Sequence, residues 1–239
     1  MKIEVYADND TVARKAAAVI AADMRAAVTA RGRYVMAVSG GHTPWLMLRA
    51  LADEPLPWQQ VHVVQVDERV APDDDPDRNL AHLRASLLRR LPQPPDHIHA
   101  MPVETADLDR AAAQYASTLR DVAGSPPVLD LVHLGLGPDG HTASLVPGDP
   151  ALDVTDADVA VAGPYQGRRR VTLTFPIINR SRFVLWLVTG REKAAALVRL
   201  RDGDRSIPAA CVRQDRALLL ADRAAAEGLG ANKEQETQK

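Results

Sequence analysis

Short runs of Val, Leu and Ala, each stopping in a cluster of glycine or charge, recur along this chain with Ala-rich helical patterns between them. This alternation limits the fold more than any other feature. Strands separated by helices pair in parallel, and a sheet covered on both faces reads as continuous apolar runs.

"KIEVYA" (2–7) alternates like a strand, and Val12, Ala16, Val19, Ile20, Met24 and Val28 recur at helical spacing over roughly 10–30. "YVMAVSGG" reads as a buried strand leaving into a glycine turn, "TPWLMLRALA" as the helix after it, and "VHVVQVDER" as the next strand. Residues 76–90 and 106–121 are expected to be helical, with a Pro-rich connection at 92–102, and "VLDLVHLGLG" is a further buried strand. Strands at 158–162, 171–174, 182–189 and 216–220, a helix at 191–201 and a short closing helix complete the pattern. The fold class expected is α/β: a three-layer, mostly parallel Rossmann-like sheet flanked by helices, with a smaller set of strands in the C-terminal half. One domain over 1–229 is expected, and the polar tail "GANKEQETQK" (230–239) should fray.

The 239 residues are 46% hydrophobic, enough for a substantial core, and 29 basic residues mixed among 31 acidic ones leave no nucleic-acid footprint. Arg168-Arg169-Arg170 is too short for that role but suits one phosphate group. The single cysteine, Cys211, rules out an intramolecular disulfide and a Cys-based zinc site, and with no local activating group it reads as a small buried hydrophobe. "MKIEVYADND" lacks the features of a signal peptide, and no apolar run reaches the roughly 18 residues a membrane span needs. A soluble chain of a reducing compartment, the cytoplasm, is expected, with no membrane or nucleic-acid partner.

Ligands of open α/β sheets bind beyond the carboxyl ends of the strands, and three such ends here carry unusual chemistry. In "AVSGGHTPWLML", Ser39, Gly40 and Gly41 let the backbone turn and expose N–H groups. Thr43 followed by Pro44 suits a helix N-cap and first position, so donors and dipole together make an anion cradle. It is not a Walker A loop, because no Gly-Lys-Ser/Thr follows. In "VVQVDERVAPDDDPDRNL", Asp67, Glu68 and Arg69 end a buried strand, a costly place for three charges unless they pair or meet a ligand. The acidic run has the first three positions of a calcium loop, but Leu80 and Ser86 stand where Gly and Glu are required; Asp75 capping a helix that begins at Pro76 explains it better.

The third end, "LDLVHLGLGPDGHTASLVPG", has the glycine spacing of a dinucleotide turn, with Asp156 or Asp158 at the right distance for a ribose contact. Asp139, however, would set a negative charge beside the pyrophosphate. On the other reading Gly135 and Gly137 make room beside a ligand, Asp139-Gly140 turns the chain, and Thr142 and Ser144 start a short helix. His141 is then presented at the mouth as a general base. His97-x-His99 is a metal pair by spacing alone and lacks a nearby third ligand.

Taken in order, "VSGGHTP", "VDERVAPDDDPDRN", "HLGLGPDGHTASLVPG", "RRRVTLTFPIIN", "LVTGREKAAAL" and "IPAACV" resemble the blocks of the 6-phosphogluconolactonase family. That family belongs to the fold group of glucosamine-6-phosphate deaminases and ribose-5-phosphate isomerases. The resemblance covers nearly the whole chain and implies that Ser39, Gly40, Gly41, Thr43, Arg170 and Lys193 hold a sugar phosphate. It puts the catalytic His on His141 and the Arg of the Asp-Glu-Arg loop on Arg69. His42 departs from the small residue common after the glycine pair, and Arg78 stands where Ser is common.

The deaminases carry Asn-Glu-Pro-Gly after their Asp-Gly-His loop, whereas "TASLVPG" has no acid between His141 and Pro147. The implied activity is hydrolysis of 6-phospho-D-glucono-1,5-lactone to 6-phosphogluconate in the oxidative pentose phosphate pathway, with neither cofactor nor metal. His141 would be the base, Arg69 would bind the oxyanion or the sugar hydroxyls, and Asp67 and Asp139 would orient. The alternatives are an isomerase or deaminase of the same fold and a non-catalytic sugar-phosphate-binding module. A monomer or weak homo-oligomer acting on a small sugar phosphate is expected.

Overall fold

The computed structural model describes residues 1–91 and 97–230. Seven strands form one all-parallel sheet. In chain order they are β1 (Lys2–Tyr6), β2 (Tyr34–Val38), β3 (Val61–Gln65), β5 (Ile98–His99), β6 (Leu131–Gly135), β9 (Phe183–Val188) and β10 (Ala217–Asp222). A second, antiparallel sheet contains β4 (Asp67–Arg69), β7 (Val159–Tyr165) and β8 (Arg168–Leu173). The helices are α1 (Asn9–Arg31), α2 (His42–Ala52), α3 (Asn79–Ser86), α4 (Leu108–Ala123), α5 (Phe175–Arg180) and α6 (Ala194–Arg201).

The large sheet runs β1-β10-β9-β6-β2-β3-β5. From β2 the chain steps outward through β3 and β5, then returns to place β6 on the other side of β2. Strand order therefore reverses between β2 and β6, where diverging loops leave a crevice at the carboxyl ends. β2 shows why these strands are apolar throughout: Val35 and Ala37 enter the core layer on one face, Tyr34, Met36 and Val38 that on the other. α1 buries Val12, Ala16, Ile20, Met24 and Ala27 at helical spacing, between an Asp8 N-cap that accepts from the Thr11 N–H at 2.8 Å and a left-handed Gly32.

The structure departs from the sequence reading in instructive places. "VHVVQVDER" is two strands, because the chain changes sheets at Val66. Its N–H donates to the Val38 carbonyl in the large sheet, and its own carbonyl accepts from the Leu173 N–H beside the small one. The helix expected from residue 76 begins at Asn79, and its cap is not Asp75. The Glu68 carboxylate, fully buried, accepts from the Asn79 and Leu80 N–H groups at 2.8 Å each, while Asp75 pairs with Arg168. Likewise α2 starts at His42, so Thr43-Pro44 lies inside its first turn and Gly41 is the cap. No helix starts at Thr142; a turn closed by a Thr142–Leu145 bridge stands there. α5 and the short β5 were missed, and Cys211 is half-buried rather than buried. Of the Pro-rich connection, 92–96 lies outside the described residues, as does the tail from 231.

Candidate active site

A cavity of about 340 Å³ opens where strand order reverses. Its lining brings together all the predicted site residues except Asp139, which binds His141 from behind: Ser39, Gly40, Gly41 and Thr43 after β2, Asp67 and Arg69 on β4, His141 after β6, Arg170 on β8, and Lys193 before α6.

The turn after β2 is shaped by its neighbours. A Cβ at Gly40 would overlap the Asn79 side-chain oxygen, so only glycine lets the turn lie against α3. Gly41, at φ 123°, then aims the chain into α2, the N-terminus of which faces the cavity. Buried His133 on β6 accepts the Ser39 N–H through Nδ1 at 3.2 Å, and burial drives its pKa down to about 3, so the ring remains a neutral acceptor. The Ser39 hydroxyl is buried with no hydrogen-bond partner among the described residues. Thr43 Oγ1 lies 2.7 Å from that of Thr189, joining the first turn of α2 to the end of β9.

Across the cavity, His141 Nδ1 lies 2.6 Å from Asp139 Oδ1, and the His141 N–H donates to the same oxygen at 3.1 Å. Burial acts against the Asp139 charge, but these two hydrogen bonds and the imidazole outweigh it and hold the carboxyl below its ordinary range. With Nδ1 donating to Asp139, Nε2 is the nitrogen free to accept a proton. A Cβ at Gly137 would overlap the imidazole and the Asp139 carboxylate, so this glycine makes room for a dyad rather than for a pyrophosphate. Ala143 beside it is held at φ 53°, a conformation that costs a non-glycine residue on the order of 1 kcal/mol.

The third wall is cationic. Arg69 and Arg170 occupy opposing positions of the β4–β8 ladder, where like charges disfavour pairing. Arg170 is 5% exposed; burial first, and then Arg69, lower its pKa, while Asp67, 3.8 Å away, opposes them. The Nε atoms of both arginines are buried and without partners among the described residues. Asp67 is tied down by the Ser144 hydroxyl at 2.6 Å and by the Asn79 amide. Of the arginine triplet only Arg170 reaches the cavity, since Arg168 is held by Asp75 and Asp77.

Sequence reasoning missed Asn79, His133, Ala143 and Thr189 at this site. Asn79 sits in a block whose acidic residues drew attention instead, and His133 lies within an apolar run where nothing marks its partner. His97 and His99 join His62 in a stacked ladder, His62 ring centroids lying 4.3 and 5.4 Å from theirs. Among the described residues no three His, Cys, Asp or Glu side chains are arranged to hold a metal ion. No helix among them is long and apolar enough to cross a membrane.

A doubly covered parallel sheet with a cationic, glycine-lined cavity and an oriented imidazole at its switch point defines the class: an α/β enzyme acting on a small anionic molecule. The sequence profile of the family described as glucosamine-6-phosphate isomerases/6-phosphogluconolactonase matches residues 7–220, and the chain belongs to that family. It is 39% identical to a 6-phosphogluconolactonase of Mycobacterium tuberculosis over 241 residues, covering 95% of this chain and 98% of that one. The same identity holds over 200 residues with a 6-phosphogluconolactonase of Synechocystis, covering 82% and 83%. The crystal structure of a 6-phosphogluconolactonase from Thermotoga maritima superposes with a TM-score of 0.82 at 27% identity, covering 92% of this chain and 98% of that one.

Proposed function

We propose that this protein hydrolyses 6-phospho-D-glucono-1,5-lactone to 6-phosphogluconate in the oxidative pentose phosphate pathway. The family and its 6-phosphogluconolactonase relatives support the reaction. The observation that carries it onto these residues is the oriented imidazole in the same cavity as the facing Arg69–Arg170 pair.

The substrate phosphate docks on the backbone N–H groups from Gly40 to Thr43, the Ser39 hydroxyl, Arg170 and Lys193. This remote grip orients the lactone ring, converting part of the barrier into binding. His141 Nε2 takes a proton from water as its oxygen bonds to the lactone carbonyl carbon. When the bond from that carbon to the ring oxygen breaks, the imidazolium returns the proton to the leaving oxygen, giving a free acid and a hydroxyl. Arg69 stabilises the developing oxyanion or holds the sugar hydroxyls, Asp139 fixes the imidazole tautomer, and Asp67 orients Ser144 and Asn79. No cofactor or metal enters this scheme. To this proposal we add a cytoplasmic setting and a monomeric or weakly homo-oligomeric state.

An isomerase or deaminase reading finds no acid between His141 and Pro147 to open a sugar ring. The test is a coupled assay on freshly generated 6-phosphogluconolactone beside the unphosphorylated lactone, each corrected for spontaneous hydrolysis. Strong preference for the phosphorylated substrate is expected. Equal rates on the two, or rates no faster than background, would remove the proposal.

A further inference from the structure

Tyr165 lies outside the cavity lining, yet its ring touches residues on both sides of the proposed chemistry. Its centroid is 5.1 Å from that of His141, edge to face at 61°, and 5.2 Å from the Arg170 guanidinium carbon. The Tyr165 carbonyl also accepts from Arg170 Nη2 at 3.5 Å. Burial and then the Asp139 charge raise the pKa of its hydroxyl.

The backbone is built to aim this ring. Tyr165 ends β7, pairs with Arg168, and is followed by Gln166 at φ 54° and Gly167 at φ 78°. Two left-handed residues in a two-residue hairpin make a turn whose twist matches its strands. The β7–β8 register shifts between Ala162 and Tyr165, an irregularity of the kind that re-aims a side chain.

We infer that Tyr165 is a positioning residue serving two groups at once: one face contact holds the buried Arg170 guanidinium toward the phosphate, and one edge contact keeps the His141 imidazole square to Asp139. This inference rests on the roles proposed above for His141 and Arg170. A cation over an aromatic face gains most when desolvated, the situation of Arg170. The edge-to-face contact restricts imidazole rotation that a single hydrogen bond to Asp139 leaves open.

Tyr165→Ala should therefore lower kcat for 6-phosphogluconolactone and weaken 6-phosphogluconate binding, each by about tenfold, whereas Tyr165→Phe, which keeps the ring, should restore binding to within about twofold. A double-mutant cycle separates positioning from general damage. The binding loss should vanish in an Arg170→Ala background, and the kcat loss in a His141→Ala background. Tyr165→Leu, with bulk but no π face, carries the same readout if Tyr165→Ala folds poorly. Unchanged kinetics, or losses that persist in full in both backgrounds, would overturn the inference. If His141→Ala keeps normal turnover, the base assignment falls, while product binding in the Arg170 background still tests Tyr165.

Discussion

Arg69 and Arg170 are directly opposed across the β4–β8 ladder, two guanidiniums where opposite charges would pair most favourably. The fold tolerates this because Asp67 offsets part of the repulsion and the cavity leaves room for an anion. The strain is electrostatic, so a ligand that supplies negative charge should relieve it.

Binding of 6-phosphogluconate should accordingly raise the melting temperature, since a ligand at 100 times its Kd adds about 2.7 kcal/mol to the folded state. Gluconate at the same concentration should do little. Differential scanning calorimetry checks this, and equal shifts from both compounds would deny the phosphate a role. Arg170→Ala and Lys193→Ala should weaken the response and raise KM with a smaller effect on kcat.

His141→Ala should lose at least about a hundredfold in kcat while still binding 6-phosphogluconate. Asp139→Asn should lose less, because the amide can still contact Nδ1 but favours the wrong tautomer. Steady-state kinetics paired with product titration distinguishes the two; near-normal turnover of His141→Ala would withdraw it as the base.

Gly40 and Gly137 should respond to alanine in different kinetic parameters. The new Cβ at 40 meets Asn79 and displaces the turn proposed to grip the phosphate, raising KM by about tenfold or more. The new Cβ at 137 meets His141 and Asp139, so the loss falls on kcat. Matched changes in both variants would mean that the two loops are not separable in this way.

Glu68→Gln should destabilise the protein by roughly 3–5 kcal/mol, the cost of breaking a buried ion pair. Its carboxylate meets Arg78 at 3.2 Å, both side chains being at most 1% exposed, and caps α3 besides. Urea denaturation measures the change, and a loss below about 1 kcal/mol would show that neutral Gln serves as well.

His133 makes stability depend on pH. The unfolded ring takes up a proton near its ordinary pKa of about 6.5, whereas the buried one does not until about 3. Stability is therefore full above pH 6.5 and declines as pH falls through that window, by at most about 1.4 kcal/mol per pH unit for one proton. His62, lowered to about 4 chiefly by burial, contributes in the same direction. His133→Asn, which offers Oδ1 in place of Nδ1 and does not titrate, should flatten the slope of melting temperature between pH 6.5 and 4. An unchanged slope would place the linkage elsewhere.

Legibility followed the range of the interactions involved. The apolar runs of β2 and β9 were plain because burial on both faces leaves no polar positions within them, β6 was plain despite the one buried His133 it carries, and α1 was plain from its spacing. The break at Val66 was not, since the residues on either side read as one strand and only pairing with Val38 and Leu173 divides them. Asp75 looked like a cap because capping is usually local; Glu68 does the work from 11 residues away.

The sequence by itself determined the α/β class, the three loops that carry chemistry and the residue types on them, because periodicity and glycine placement act over a few residues. Tertiary structure decided which residues face one another. Arg69 opposes Arg170 only through an antiparallel register set about a hundred residues apart, His133 meets Ser39 only because β6 returns beside β2, and Tyr165 reaches His141 only through a hairpin in a second sheet. Such contacts depend on chain crossings and side-chain packing, and a linear string of residues leaves no local trace of either.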